Sequence, residues 1–227
     1  SPNLVVQISN RGRALMSDTE HWVKYQEQIK QWSDRIAPGN IMRLENSRYF
    51  LGGEGDRIIP IVYPVIHPRG IARDLKYLKG ISFGDTGEQS QAQSRWVAPG
   101  LNHINLYVQS QFLWDPDQNV DAVLDDYYKS FYGPAASQIK EAFDYAEDNL
   151  AFKDTSRPGG RANPKNVSLE VSLKFRELID KARQVAGDTV YGKRIDLIIS
   201  ELIPKDELIA KNKEDNSDYV KFRAKAP

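Results

Sequence analysis

The sequence predicts an α/β protein whose strands lie in its first hundred residues and whose remainder is helical. Two observations carry this. Among residues 1–100, short β-branched segments alternate with helical stretches, the pattern of parallel α/β structure. From Leu101 onward, apolar residues recur instead at the three- and four-residue spacing of amphipathic helices.

The first predicted strand is Leu4-Val5-Val6-Gln7-Ile8-Ser9, bounded by Pro2 and by Asn10-Arg11-Gly12. Leu4, Val6 and Ile8 fall on one of its faces. Ser17 and Glu20 then stand at capping-box spacing. They open a helix whose core stripe is Trp22, Tyr25, Ile29, Trp32 and Ile36, and Ala37-Pro38-Gly39-Asn40 ends it. Ile41-Met42-Arg43-Leu44 is the second strand, with Met42 and Leu44 on one face and Arg43 and Glu45 on the other. Ile58–Tyr63 reads as a third strand, apolar on both faces, although Pro60 is unusual in a central strand. A short helix around Ala72–Leu78 leads to the fourth, Gly80-Ile81-Ser82-Phe83-Gly84, which runs into the polar loop Asp85-Thr86-Gly87-Glu88.

The helical part begins with Leu101, Ile104, Val108 and Phe112 on one face, and Trp114 is expected to pack at the end of that helix. Val120, Val123, Leu124, Tyr127, Tyr128 and Phe131 mark the next helix, and Gly133-Pro134 breaks it. Ile139, Phe143, Ala146 and Leu150 mark another. Residues 153–166 contain Pro158, Gly159, Gly160 and Pro164 with almost nothing apolar, and read as a linker. Helices near Leu169–Ala186 and Tyr191–Lys211 follow, the second interrupted at Pro204, and the charged end from Asn212 is expected to fray.

Composition excludes several functions. Lys plus Arg is 31 and Asp plus Glu is 31, so a neutral chain has no global attraction for nucleic acid or anionic membrane. No run of about 18 apolar residues predicts a membrane span. The absence of cysteine removes disulfides, thiolate metal sites and cysteine nucleophiles. His21, His67 and His103 are too few and too scattered for a zinc site. No phosphate-binding glycine loop precedes a helix and no nucleophile elbow occurs. No cofactor or metal is expected.

A (β/α)8 barrel takes about 250 residues, roughly 30 per strand–helix unit. Four strands in residues 1–100 are half that number, and both edges of such a sheet would be unpaired. The expected fold is therefore the C-terminal half of a (β/α)8 TIM barrel followed by an α-helical region. Residues 1–100 would form the barrel half, 101–152 the helices that close it, 153–166 a linker and 167–227 a C-terminal helical region. The opening Ser1-Pro2-Asn3-Leu4 fits a piece of a longer protein; the alternative is a complete small α/β domain capped by its helices.

Several stretches resemble one family. They are Leu101-Asn102-His103-Ile104-Asn105-Leu106-Tyr107, Phe112-Leu113-Trp114-Asp115-Pro116-Asp117, Leu124-Asp125-Asp126-Tyr127-Tyr128 and Phe131-Tyr132-Gly133-Pro134-Ala135-Ala136. Together with Asn3–Ile8, Ile29-Lys30-Gln31-Trp32-Ser33 and Asp74-Leu75-Lys76-Tyr77-Leu78, they resemble the C-terminal portion of the domain of unknown function 4838 family. The resemblance covers residues 1 to about 150. The Leu-Trp-Asp-Pro stretch and its tyrosine-rich helix are also similar to the segment closing the barrel of α-glucuronidases. The resemblance implies a large, glycoside-hydrolase-like bacterial protein, secreted or periplasmic, acting on a carbohydrate substrate. It also implies an N-terminal barrel half on the same precursor or on another chain.

Barrel enzymes place reactive groups at the C-terminal ends of strands, and glycoside hydrolysis needs two carboxyl groups. Glu45 after the second strand, and Asp85 and Glu88 after the fourth, are the candidates. Arg43 beside Glu45 would keep that carboxylate ionised, as suits a base or nucleophile; the alternative is a structural ion pair inside the barrel. For Asp85 and Glu88 the alternative is a solvated turn. Tyr63, His67 and Trp96, with Arg43, are candidates for holding a sugar, because aromatic faces suit the C–H faces of pyranose rings. Two functions follow: a glycoside hydrolase, or a non-catalytic carbohydrate-binding or assembly component that kept the barrel.

Overall fold

Val6–Asn10 (β1), Ile41–Glu45 (β2) and Ser82–Gly87 (β3) form a parallel sheet in the order β1-β2-β3. The computed structural model describes residues 4–10, 19–36, 39–45, 63–87, 98–149 and 168–213. Each strand is followed in the chain by a helix: Thr19–Ser33 (α1), Pro68–Tyr77 (α2) and Pro99–Trp114 (α3). All three helices lie over one face of the sheet. Tyr25 and Ile29 of α1 pack on Ile8 and Ile41, Asp74 of α2 binds Arg43, and Gln109 of α3 binds Asp85. On the opposite face Gln7 is exposed.

The α/β class agrees with the sequence, but the strands differ in detail. Of the third predicted strand, Ile58–Val62 lie outside the described residues, and Tyr63 belongs to no strand. No strand stands between β2 and β3, which pair directly. The fourth predicted strand is shifted, so that Asp85, Thr86 and Gly87, expected in a loop, are strand residues. β3 also contains a bulge. Ile41 pairs with Ser82 but Met42 pairs with Gly84, so Phe83 is the extra residue, and its side chain is exposed. The Ser82 hydroxyl lies within donating distance of the carbonyls of Ile41 (3.0 Å) and Gly84 (2.7 Å), on either side of the bulge.

α2 starts at Pro68, where a proline suits the first helical position, and buries Ile71, Ala72, Asp74 and Leu75. The helices Val120–Tyr132 (α4), Leu169–Ala186 (α6) and Val190–Glu201 (α7) each begin at a side-chain cap. Asn119, Ser168 and Thr189 accept from the N–H groups of Ala122, Val171 and Gly192 respectively. A short 3-10 turn, Gly133–Ala135, joins α4 to Ala136–Asp148 (α5). The break expected at Pro204 separates α7 from Lys205–Lys213 (α8).

Among the described residues, two apolar clusters hold the structure together. The smaller, Ile8, Tyr25, Ile29, Ile41 and Leu78, lies between the sheet, α1 and the end of α2. The larger runs without interruption from α2 through α7, and Ile104, Val108, Leu124, Ile139, Phe175 and Ile198 are at its centre, wholly buried. Each such side chain contributes roughly 1.5–3 kcal/mol relative to exposure. Residues 101–149 and 168–202, read from sequence as parts of two segments, therefore share one core. Two tryptophans expected to pack do not. Trp32 is 40% exposed, and Trp114, the last residue of α3, is 91% exposed because the chain turns away at Asp115. Among the described residues, no helix is long and apolar enough to cross a membrane.

Candidate functional site

The central strand places an ionic row across the sheet. Ile8, Arg43 and Asp85 are in register on β1, β2 and β3. Arg43 Nη1 donates to Oδ2 of Asp74 at 2.7 Å, and Nη2 donates to Oδ2 of Asp85. Gln109 Nε2 donates to the same Asp85 oxygen at 2.7 Å. The side chains of Arg43, Asp74 and Asp85 are 1%, 0% and 2% exposed. Burial pushes the Asp74 carboxyl up, against the pull of Arg43.

The bulge makes this row possible. In an unbroken ladder Asp85 would sit opposite Leu44 and point to the other face; skipping Phe83 brings it opposite Arg43. Sequence alternation expected Arg43 on the inner face of a barrel. It lies instead beneath α2 and α3, on the face a barrel turns outward. Arg43 and Asp85, expected at substrate, are thus brought together but closed off from solvent. Asp74 and Gln109 were not expected there. A carboxylate set in the apolar stripe of α2, among Ile71, Ala72 and Leu75, was the visible signal for the first.

The carboxyl end of the sheet is a second constellation. Asn10, Glu45 and Gly87 stand in register at the last rung of the ladder, and Glu88 is the next residue in the chain after Gly87. The Glu45 side chain, Glu88 and Trp96 lie outside the described residues. Asn10 joins this row through register alone, which the sequence does not display. α2 and α3 begin at this end, since a crossover helix runs opposite to the strand before it.

Carboxylates from later helices hold both helix starts, Glu201 buried and Glu147 partly so. Glu147 of α5 accepts the Arg69 N–H at 3.0 Å. Its other oxygen binds the Arg69 guanidinium at 2.8 Å, and that guanidinium also reaches Asp144 (2.8 Å) and Asp121 (3.0 Å). Glu201 of α7 accepts the N–H groups of Gly100 at 2.7 Å and Leu101 at 2.8 Å. Burial pushes both glutamate carboxyls up, and their hydrogen bonds oppose it.

Tyr63 and His67 belong to the core and not to a sugar-facing surface. Both are 4% exposed; Tyr63 packs edge-on against Phe175, and its hydroxyl donates to the carbonyls of Tyr145 and Ala146. The His67 N–H donates to Asn105 Oδ1 at 3.1 Å, while Asn105 Nδ2 donates to the Val65 carbonyl at 2.8 Å. A ring with an apolar body and a polar tip satisfies a covered position as well as an open one, so the aromatic pattern alone does not distinguish them.

Burial lowers the His67 pKa to about 4, with the Val65 carbonyl opposing. The unfolded chain therefore binds more protons between pH 4 and 6.5, and stability present above pH 6.5 is lost as pH falls through that window. His67→Gln should reduce the acid slope of unfolding free energy by up to about 1.4 kcal/mol per pH unit. Urea titrations from pH 4 to 7 check this; parallel slopes for the two proteins would refute it. Among the described residues, no group of three or more His, Asp or Glu side chains is placed to hold a metal ion.

A three-stranded parallel sheet with the helices that follow its strands packed on one face makes the described residues an α/β protein. Residues 3–144 match the family described as Domain of unknown function (DUF4838), and the chain belongs to that family. No curated protein and no solved structure matches the chain.

Proposed function

We propose that this chain supplies the C-terminal strands of a (β/α)8 barrel and hydrolyses a glycosidic bond of a carbohydrate at the carboxyl end of those strands. The observation that carries the reading is the Asn10–Glu45–Gly87 row. It puts a glutamate on the central strand of a parallel sheet, where barrel enzymes hold their reactive groups. Consecutive strand order with α1, α2 and α3 on one face supports a barrel over a doubly wound sheet, which carries helices on both.

Glu45 is the base or nucleophile in this reading and Glu88 the second carboxyl group. Neighbouring strands are about 4.8 Å apart, and glycosidase carboxyl groups stand roughly 5–9.5 Å apart, so residues on adjacent strand ends suit the task. Asp85 leaves the catalytic set because its carboxylate is buried against Arg43 and Gln109. Trp96 remains the candidate for stacking on a sugar. The missing strands would come from an N-terminal barrel half, on the same precursor or another chain, in a secreted or periplasmic protein.

The test is Glu45→Gln in the intact protein, assayed on 4-nitrophenyl glycosides and plant polysaccharides. Turnover should fall at least about 100-fold with the melting temperature unchanged. Normal turnover by the variant would remove Glu45 from the mechanism. Sugar binding without hydrolysis by the wild type, lost in Trp96→Ala, would instead establish the non-catalytic binding component.

A further inference from the structure

We propose that Glu201, which lies beyond the family-matched residues 3–144, is a positioning residue for the site end: it sets the first turn of α3, the helix that follows β3 in the chain. α3 has no side-chain cap of its own, because Ala98 occupies the cap position. Pro99 has no N–H to donate, so Gly100 and Leu101 carry the first backbone donors of the helix, and Glu201 takes both. A carboxylate at that point also complements the helix dipole.

Three further features fit a built junction. Ala98 is buried with φ of +50°, a left-handed conformation that a non-glycine residue keeps only where its surroundings impose it. Gly100 admits α7 closely, since a Cβ there would lie 3.0 Å from the Ile198 nitrogen and 3.1 Å from Glu201 Oε2. Leu101, the second partner, is 1% exposed in the main core. The C-terminal helices thus hold the first turn of the helix that follows β3, through a contact spanning a hundred residues of sequence. Only the consequence for turnover rests on the proposed function; the contact does not.

Hydrogen exchange and kinetics of Glu201→Gln in the intact protein test this. Glutamine keeps the shape but turns one of the two acceptor oxygens into an NH2 donor that faces a backbone N–H. Amides in the first turn of α3 should exchange at least 10-fold faster, while those of α5 and α6 keep wild-type rates. On any glycoside the wild type turns over, kcat should fall at least 10-fold with KM little changed. Unchanged exchange in the first turn, or protection lost evenly through the chain, would overturn the proposal, as would local loosening with normal kcat. If the wild type turns over no glycoside, the hydrolase reading fails and the exchange pattern alone decides the role of Glu201.

Discussion

Replacing Arg43 by methionine is expected to cost about 3–5 kcal/mol of stability, because it leaves two carboxylates buried without their cation. Asp74 and Asp85 have side chains 0% and 2% exposed, and both bind the Arg43 guanidinium. Asp74 is pushed up even beside Arg43, so without the arginine it is driven higher still. An acid whose folded pKa lies above its unfolded value binds more protons in the native state, so its contribution to stability falls as pH rises through that window. The deficit of Arg43→Met should accordingly be small near pH 4 and grow toward pH 7. Urea unfolding at both pH values measures it. The triple variant Arg43→Met, Asp74→Leu, Asp85→Leu should regain more than half of the loss, since apolar groups of similar volume can replace a buried ionic set. A pH-independent deficit, or a triple variant as weak as the single one, would show that the row is not a buried charge cluster.

The second large effect is expected at Gly192. A Cβ on Gly192 would stand 2.0 Å from the carbonyl oxygen of Gly187 and 3.0 Å from Arg183 Nη1. The turn between α6 and α7 is tight because three hydrogen bonds converge on it. Arg183 Nη1 donates to the Gly187 carbonyl at 2.6 Å, the Gly187 N–H donates to the Arg183 carbonyl, and the Gly192 N–H donates to Thr189 Oγ1. The obstructing oxygen is backbone, so relief requires α7 to move against the core through Ile195 and Ile198. Gly192→Ala should destabilise by about 3 kcal/mol, the upper range for overpacking. Helix propensity alone predicts the opposite, a gain of about 0.5–1 kcal/mol. The sign of the change in the urea midpoint therefore decides the matter, and a stabilised variant would show that the turn yields freely.

Much of the architecture was legible because it depends on short-range pattern. The break at Pro204 and the stripes of α4 and α6 follow from residues within one or two turns of each other. The alternation at Ile41–Glu45 likewise located the central strand and its odd charge. Tyr63 and His67 were misplaced because amphipathic rings look alike at a surface and in a core. Trp32 and Trp114 were misplaced in the other direction, as apolar size does not guarantee a partner.

The sequence by itself determined an α/β chain with its strands first, where most of its helices start and stop, and the acidic residue that ends the middle strand. Only the tertiary structure decided which way that strand faces, what Arg43 binds and what caps α3. The reason is physical. Strand period is two, so the single extra residue at Phe83 reverses the facing of Asp85 without leaving a mark in the local pattern. The Glu201 contact joins residues a hundred positions apart, and only the packing of α7 on α3 brings them within reach.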